Sequence, residues 1–209
     1  MKLSDYINGT RLLLHDARIN YYTDADLTLY INKARCRVAA DSGCYRIMRP
    51  VTLTAGTETY PLTYIPLFGA SAGQINSVMN IFVIWSNIRY KLRPCSWMEF
   101  NQKYRVYTTA TYSDVPMAYS QLSQTIYLAP VPDAAYVAEF DLSLVPEDLV
   151  DDSDYDTSVI PLSLEFPVQL YAAHLAKMYD QSIDEARALF AMYAQHMVMN
   201  AMSPINRRA

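Results

Sequence analysis

The sequence has few of the features by which enzymes and membrane proteins are recognised. It holds only 5 glycines and 3 cysteines in 209 residues, and no glycine precedes a Lys-Ser or Lys-Thr pair, which excludes a phosphate-binding P-loop. Its longest apolar runs, such as residues 12–14 and 81–85, are too short to cross a bilayer. We predict neither a membrane segment nor a signal peptide. An odd number of cysteines without framework spacing favours free thiols in a reducing compartment.

Candidates for catalysis and for metal binding are equally scarce. The histidines lie on predicted helices without metal-ligand spacing, and they are His15, His174 and His196. Residues 152–156 have the Asp-x-Asp-x-Asp spacing of a calcium loop, but its sixth and twelfth positions are Thr157 and Ser163 instead of Gly and Glu. No cysteine has the signature of an activated nucleophile. We therefore predict no catalytic residue, no metal, no cofactor and no enzymatic activity.

Charge is distributed unevenly along the chain. The net charge is −4, but residues 1–105 carry +6 and residues 106–209 carry −10, and no Lys or Arg lies between Arg105 and Lys177. One interpretation is that the central segment exposes hydroxyl groups and tyrosines rather than charge. The alternative is that a positive face and a negative face meet between neighbouring subunits.

Two groups of basic residues could touch phosphates. They are Arg35, Arg37, Arg46 and Arg49 near the end of the second predicted helix, and Arg89, Lys91 and Arg93 along a predicted strand. The isoelectric point is about 5.3, however, and no nucleic-acid recognition motif is present. We predict no sequence-specific binding of nucleic acid.

Helical periodicity marks the two ends of the chain. The first helix is predicted over residues 3–15, and a capping-box pattern of Thr23 and Asp26 opens a second helix that ends near Gly43. Lys33 and Arg37 are expected on its exposed side.

Helical spacing resumes after Pro161 and continues through a second capping-box pattern, Ser182 and Glu185, until Ser203-Pro204. The apolar stripe expected on the last helix consists of Ala186, Leu189, Phe190, Tyr193 and Met197. Pro167 fits the first of these two helices only if it lies within the first turn.

The period changes to two in the centre of the chain. Residues 51–62 predict one hairpin, and residues 78–92 predict a second around Ser86-Asn87. Ser96 is expected to cap a short helix. Three more antiparallel strands are expected at residues 118–122, 125–129 and 136–144. Glu147–Asp156 holds six acidic residues and no basic one, and is interpreted as a solvated linker.

These patterns predict an α+β fold with two domains. Residues 1–48 and 161–209 are expected to form a helical bundle, and residues 49–160 an inserted antiparallel β-sandwich or open-barrel module. The terminal helices are expected to pack together because neither pair alone covers its apolar stripe.

This organisation resembles the head-to-tail adaptor (connector) proteins of tailed bacteriophages, the class that includes the tail tubular A proteins of short-tailed phages. The residues that carry the resemblance are Tyr22–Leu27, Ile31–Ala34, Pro116–Tyr119, Ile126–Asp133, Leu144–Pro146, Ile160-Pro161 and Phe166–Ala176.

The resemblance implies a structural virion protein of the neck or tail, assembled in the host cytoplasm. Such a protein forms a ring, usually a dodecamer, that binds the portal protein on one side and the next tail ring, a nozzle or tail tubular B-like protein, on the other. Genome DNA passes through the lumen during packaging and ejection without specific binding.

The resemblance also suggests where the portal would bind, because adaptors of this kind send their C-terminal segment into the portal. The candidate portal-binding residues here are Met199, Met202, Ile205, Arg207 and Arg208. Flexible Met side chains adapt well to a partner groove. The alternative is a frayed tail without a role. Acidic residues expected between subunits are Asp151, Asp152 and Asp154.

Two alternative functions stay open. One is a different tail or neck completion protein. The other is a glycan-binding β module on a helical base, which needs an exposed Trp or Tyr platform with acidic partners. Trp85 and Trp97 have apolar neighbours in the sequence, and we therefore expect both in the core.

Overall fold

The computed structural model describes residues 1–16, 21–65, 74–105, 113–151, 154–155 and 160–201. The described α-helices are α1 (Leu3–Leu13), α2 (Asp24–Ser42), α3 (Trp97–Glu99), α4 (Leu162–Tyr179) and α5 (Ile183–Ala201). The described strands are β1 (Arg46–Leu53), β2 (Thr59–Pro61), β3 (Gln74–Trp85), β4 (Ile88–Lys91), β5 (Arg93–Pro94), β6 (Ala118–Leu122), β7 (Thr125–Ala129) and β8 (Tyr136–Val145). The predicted α+β class is confirmed.

The chain divides into two compact units. One, the helical unit, comprises residues 1–45 and 145–209, and the other, the β unit, comprises residues 46–144. In the helical unit, α4 contacts α1, α2 and α5. Its fully or almost fully buried apolar side chains come from all four helices and include Leu3, Tyr6, Leu27, Ile31, Ala34, Val38, Val168, Leu170, Ala176 and Ala186.

The second helix begins and ends where its sequence signals predict. The Thr23 hydroxyl accepts a hydrogen bond from the Asp26 amide at 3.1 Å. Gly43 closes the helix with a φ of +60°, which a residue without Cβ adopts at no steric cost. The first helix ends at Leu13, earlier than expected. His15 therefore lies in the following turn, with a φ of 57°, and the expectation that it is helical is wrong.

A buried arginine joins the end of α1 to the start of α2. The Arg11 guanidinium lies 3.0 Å from the Asp16 carboxylate and donates to the Tyr22 carbonyl at 2.9 Å. It also lies 2.6 Å from the Asp24 carboxylate. No periodic pattern predicts the burial of Arg11, because a charged residue is expected on an exposed helix face.

Pro167 lies at the sixth residue of α4, so the expectation that it falls within the first turn is wrong. A proline there removes the amide that normally donates to the carbonyl four residues earlier, in this case Ser163. The Asn200 side chain of α5 donates to the Ser163 carbonyl at 3.2 Å instead. A contact from the neighbouring helix thus replaces the missing donor.

The β unit contains two four-stranded sheets, neither of which closes into a barrel within the described ranges. Their strand orders are β1-β8-β3-β4 and β2-β7-β6-β5. Along the described strands, the chain changes sheet four times, between β1 and β2, β2 and β3, β4 and β5, and β7 and β8. Strand β5 pairs with β6 in parallel, whereas the sequence predicted only antiparallel neighbours.

The hairpin around Ser86-Asn87 is confirmed, and both residues have the positive φ angles of a two-residue hairpin turn, 51° and 61°. The hairpin expected at residues 51–62 is wrong, because β1 pairs with β8 and β2 pairs with β7. The Tyr60 hydroxyl, which contacts the backbone of Thr54, connects the two segments in place of a ladder.

Across the first sheet, a buried carboxylate joins three strands. Asp141 of β8 accepts hydrogen bonds from Arg46 of β1 and, at 2.9 Å, from Asn80 of β3. Burial alone raises the pKa of Asp141, but the bonds from Arg46 and Asn80 outweigh it and hold the pKa below its usual value. The carboxylate is therefore ionised and fully partnered at neutral pH.

Candidate functional site

The acidic stretch, defined here as residues 147–151, is not the solvated linker that its composition predicted. Arg35 of α2 donates to the Glu147 carbonyl at 2.6 Å. The Asn32 side chain bonds both backbone groups of Leu149, donating to its carbonyl at 2.9 Å and accepting from its amide at 3.0 Å. Leu149 is buried. The backbone is therefore fixed on the surface of the helical unit.

Asp154 organises the same stretch from its far side. Its carboxylate accepts the amides of Val150 and Asp151 at 2.8 and 2.9 Å. These two backbone bonds, that from Asp151 first, lower the pKa of Asp154. Asp151 is exposed, and Asp152 lies outside the described residues. Of the three acidic residues expected between subunits, Asp154 thus already has partners within its own loop.

One side chain in the acidic stretch stands out because it is apolar and exposed. Val150 is 76% exposed between the buried Leu149 and the exposed Asp151. An exposed valine by itself is ordinary. Here, however, its backbone is held from both sides, so that the side chain is presented in a fixed position.

The outer face of α5, defined here by its exposed residues from 188 onward, is apolar and uncharged. No Lys, Arg, Asp or Glu occurs between residues 188 and 206. The large exposed side chains of this face are Met192, Val198 and Met199. Phe190, which is 41% exposed, borders the face, and its ring packs against Tyr171 and His174 of α4. Phe190 was part of a predicted core stripe, and its exposure corrects that expectation. The charge-free run was the sequence signal that could have revealed the face.

Hydrogen bonds from aromatic side chains join the inner side of α5 to α4 and α2. The His174 Nδ1 lies 2.9 Å from the Ala186 carbonyl, so this nitrogen must carry the proton. The Tyr193 hydroxyl donates to Asp41 at 2.7 Å, and Arg37 also binds that carboxylate at 2.8 Å. The pKa of Tyr193 is raised, chiefly by burial and to a smaller extent by its hydrogen bond to Asp41.

Among the candidate portal-binding residues, only Met199 is described, and it is 57% exposed at the end of the outer face of α5. Met202, Ile205, Arg207 and Arg208 lie outside the described residues. The portal-binding role of all five stays a prediction.

Most residues of the two basic groups have partners on their own chain. Arg35 is buried, and Arg37 and Arg46 bind Asp41 and Asp141. Arg93 lies 3.1 Å from Glu99. These arginines therefore do not form a set of free cations along one surface, and the absence of sequence-specific nucleic-acid binding stays a prediction.

The β3–β4 hairpin exposes an aromatic pair beside a groove of about 350 Å³. The ring centroids of Trp85 and Tyr90 lie 5.8 Å apart, and the two residues are 48% and 40% exposed. The expectation that Trp85 lies in the core is wrong, because Trp85 is the last residue of β3 and lies beside the turn of the hairpin. Trp97 is half-buried and packs on Phe100 and Tyr127.

The described residues offer little for chemistry. No group of three or more His, Cys, Asp or Glu side chains in them could hold a metal ion. Within the same ranges, no helix has both the length and the apolar content that crossing a bilayer requires. What the described surface does present is contact area: the outer face of α5, the acidic stretch and the groove at the hairpin.

Comparison with known families agrees with a surface built for contact. The model of the SU10 adaptor protein family matches residues 1–209. The chain belongs to this family of phage adaptor proteins. Membership makes it a structural component and implies a place in the neck or tail of the virion, in contact with portal or tail components. A search of curated proteins finds no match. The finer likeness to tail tubular A proteins stays a prediction.

Proposed function

We propose that copies of this SU10 adaptor form a ring, a dodecamer, that joins the portal to the next tail ring. The observation that supports the proposal is the outer face of α5. Exposed apolar residues on a helix are stabilised when another surface covers them, and among the described elements α4 and α2 cover only one side of α5. In an adaptor, the covering surfaces are neighbouring copies and the portal.

The portal side is assigned to the end of this outer face. Met199 is followed in the sequence by Met202 and Ile205, and then by Arg207 and Arg208. Flexible Met side chains adapt to an apolar partner groove, and arginines bind acidic partner groups through paired hydrogen bonds.

The test is an electron micrograph and a native mass of the purified protein, with and without portal. We expect a ring that attaches to portal. Deletion of residues 203–209, and separately Met199→Glu, should leave the melting temperature nearly unchanged and abolish attachment. Gln102→Glu adds the same charge at an exposed position of the β unit and serves as the control. Attachment of both variants at unchanged affinity would refute the anchor, and a wild type that stays monomeric would refute the ring.

The charge asymmetry predicts that subunit association weakens as salt rises, since exposed charge pairs are screened beyond about 8–10 Å. Asp151→Asn together with Asp152→Asn should mimic high salt. Asp154→Asn needs to be measured separately, because it also removes the acceptor that fixes the acidic stretch. Assembly that ignores both salt and the double substitution would show that apolar contacts drive ring formation.

The lumen of the ring is proposed to conduct genome DNA without holding it. A conduit should not bind phosphates tightly, and the acidic surplus after Arg105 repels a duplex if it lines the lumen. A filter-binding assay at physiological salt should give nothing tighter than non-specific affinity, about 10⁻⁴ to 10⁻⁶ M. Nanomolar, sequence-dependent binding would contradict the conduit.

A further inference from the structure

The groove at the β3–β4 hairpin has the composition of a protein-binding site. Its apolar lining consists of Trp85, Tyr90, Leu92, Val115, Pro116 and Met117. Exposed Trp, Tyr and Met are the residue types enriched at the centre of interfaces, where they contribute most of the binding energy. Its volume of about 350 Å³ accommodates one or two aliphatic side chains.

Two charged side chains also line the groove, Lys91 and Asp114. Lys91 is exposed and forms no ion pair in the part of the chain that the structure describes. It lies on the hairpin between Arg89, which binds Glu139 at 2.6 Å, and Arg93, which binds Glu99. Asp114 accepts the amide of Val115 at 2.7 Å. The groove therefore suits an apolar side chain accompanied by a carboxylate that can reach Lys91.

The acidic stretch of the helical unit has these properties. It presents Val150, fixed and exposed, next to the exposed Asp148 and Asp151. The net charges of the two units have opposite signs, which favours such a contact. The helical unit has ten Lys and Arg and fifteen Asp and Glu (−5), and the β unit has seven Lys and Arg and six Asp and Glu (+1). A preorganised loop also loses little conformational entropy on binding.

We propose that the hairpin groove of one copy binds the acidic stretch of a second copy, with Val150 entering between Trp85 and Met117 and Asp148 or Asp151 facing Lys91. This inference rests on the proposed ring and specifies one of its contacts. Because the two surfaces differ, the contact is heterologous, and repetition of a heterologous contact gives a closed ring rather than a symmetric dimer when the rotation closes.

The test measures self-association of the full chain by sedimentation and native mass. Trp85→Ala and Val150→Ser should each weaken association at least roughly tenfold, as expected for a residue at the centre of an interface. Val137→Ser, at an exposed valine of the β unit, should leave association unchanged. Far-UV circular dichroism and melting temperature establish that each variant is folded.

Mixing the two variants gives the sharpest result. A Trp85→Ala copy keeps an intact acidic stretch, and a Val150→Ser copy keeps an intact groove, so one contact can form between them. No further copy can bind, because the second groove and the second acidic stretch of the pair are both altered. We expect a one-to-one heterodimer that does not grow. Larger assemblies in the mixture would overturn the proposal.

The charged residues of the groove distinguish this occupant from a glycan. Lys91→Glu should weaken association and be rescued by Asp148→Lys or by Asp151→Lys, while Asp114→Asn should strengthen association roughly threefold by removing a like charge. Loss of saccharide binding in Asp114→Asn, with association unchanged, would assign the groove to a glycan and overturn the proposal. A ring that tolerates both Trp85→Ala and Val150→Ser overturns this contact alone, whereas a monomeric wild type overturns the ring as well.

Discussion

Replacing Arg11 by Met removes a charge that the helical unit encloses. The guanidinium has three partners, the carboxylate of Asp16, the carbonyl of Tyr22 and the carboxylate of Asp24. Met keeps much of the aliphatic stem of Arg, so the substitution tests the charge and its hydrogen bonds rather than packing.

The magnitude depends on which partner is left behind. The side chain of Asp16 is 3% exposed, and removing one member of a buried ion pair costs about 3–5 kcal/mol because the other charge stays uncompensated. Asp24 is 62% exposed, and its pairing with Arg11 is worth less than about 1 kcal/mol. Asp16 keeps backbone donors, among them the amides of Tyr22 at 3.1 Å and Tyr21 at 3.4 Å, which limit the loss. We expect the free energy of unfolding to fall by about 4 kcal/mol, most of it at Asp16.

Urea unfolding followed by far-UV circular dichroism reports this loss. Both tryptophans, Trp85 and Trp97, lie in the β unit, so their fluorescence follows that unit separately. With a slope of about 2 kcal/mol per M for a unit of this size, the helical midpoint should fall by about 2 M. Asp24→Asn is the control and should change the free energy of unfolding by less than about 1 kcal/mol.

The double variant decides whether the mechanism is correct. Arg11→Met combined with Asp16→Asn leaves no uncompensated charge and should recover more than half of the loss. A cost below about 1 kcal/mol for Arg11→Met, or no recovery in the double variant, would refute the argument from the buried pair.

Two further predictions concern the interiors of the two units. Ala34 is fully buried on α2, so Ala34→Asp should cost several kcal/mol, about 3 or more, whereas the exposed Lys33→Ala should stay within about 0.5 kcal/mol of wild type by urea unfolding. For the β unit, burial raises the pKa of Asp141, but the hydrogen bonds from Arg46 and Asn80 outweigh burial and hold this pKa below its usual value. The contribution of the ionised Asp141 to the stability of the β unit is therefore complete above the unfolded pKa of about 3.9, and it is lost as the pH falls further. Asp141→Asn should flatten the pH dependence of tryptophan-monitored unfolding in that acidic range, and identical profiles in the two proteins would contradict the assignment.

Local signals in the sequence were enough for the elements whose stabilising contacts are local. The Thr23 cap and Gly43 defined α2, and the turn at Asn87 defined the β3–β4 hairpin. The pairing of β1 with β8 could not be predicted in this way, because residues about 90 positions apart compete with the nearby β2 and the longer ladder wins. Pro167 shows the same limit, since the donor that replaces its amide, Asn200, belongs to another helix.

The candidate site was missed for a different physical reason. Apolar residues at helical or strand spacing were assigned to the core, an assumption that holds only when the chain covers its own apolar surface. Phe190 and Trp85 follow the spacing and are 41% and 48% exposed, because no element among the described residues covers them fully. For helices, the charge of the face opposite the predicted core distinguishes a covered helix from an uncovered one. α2 carries Lys33 and Arg37 on its outer face, whereas α5 has no charged residue between residue 188 and its end. We propose that, in this adaptor, assembly completes the core at the uncharged outer face of α5.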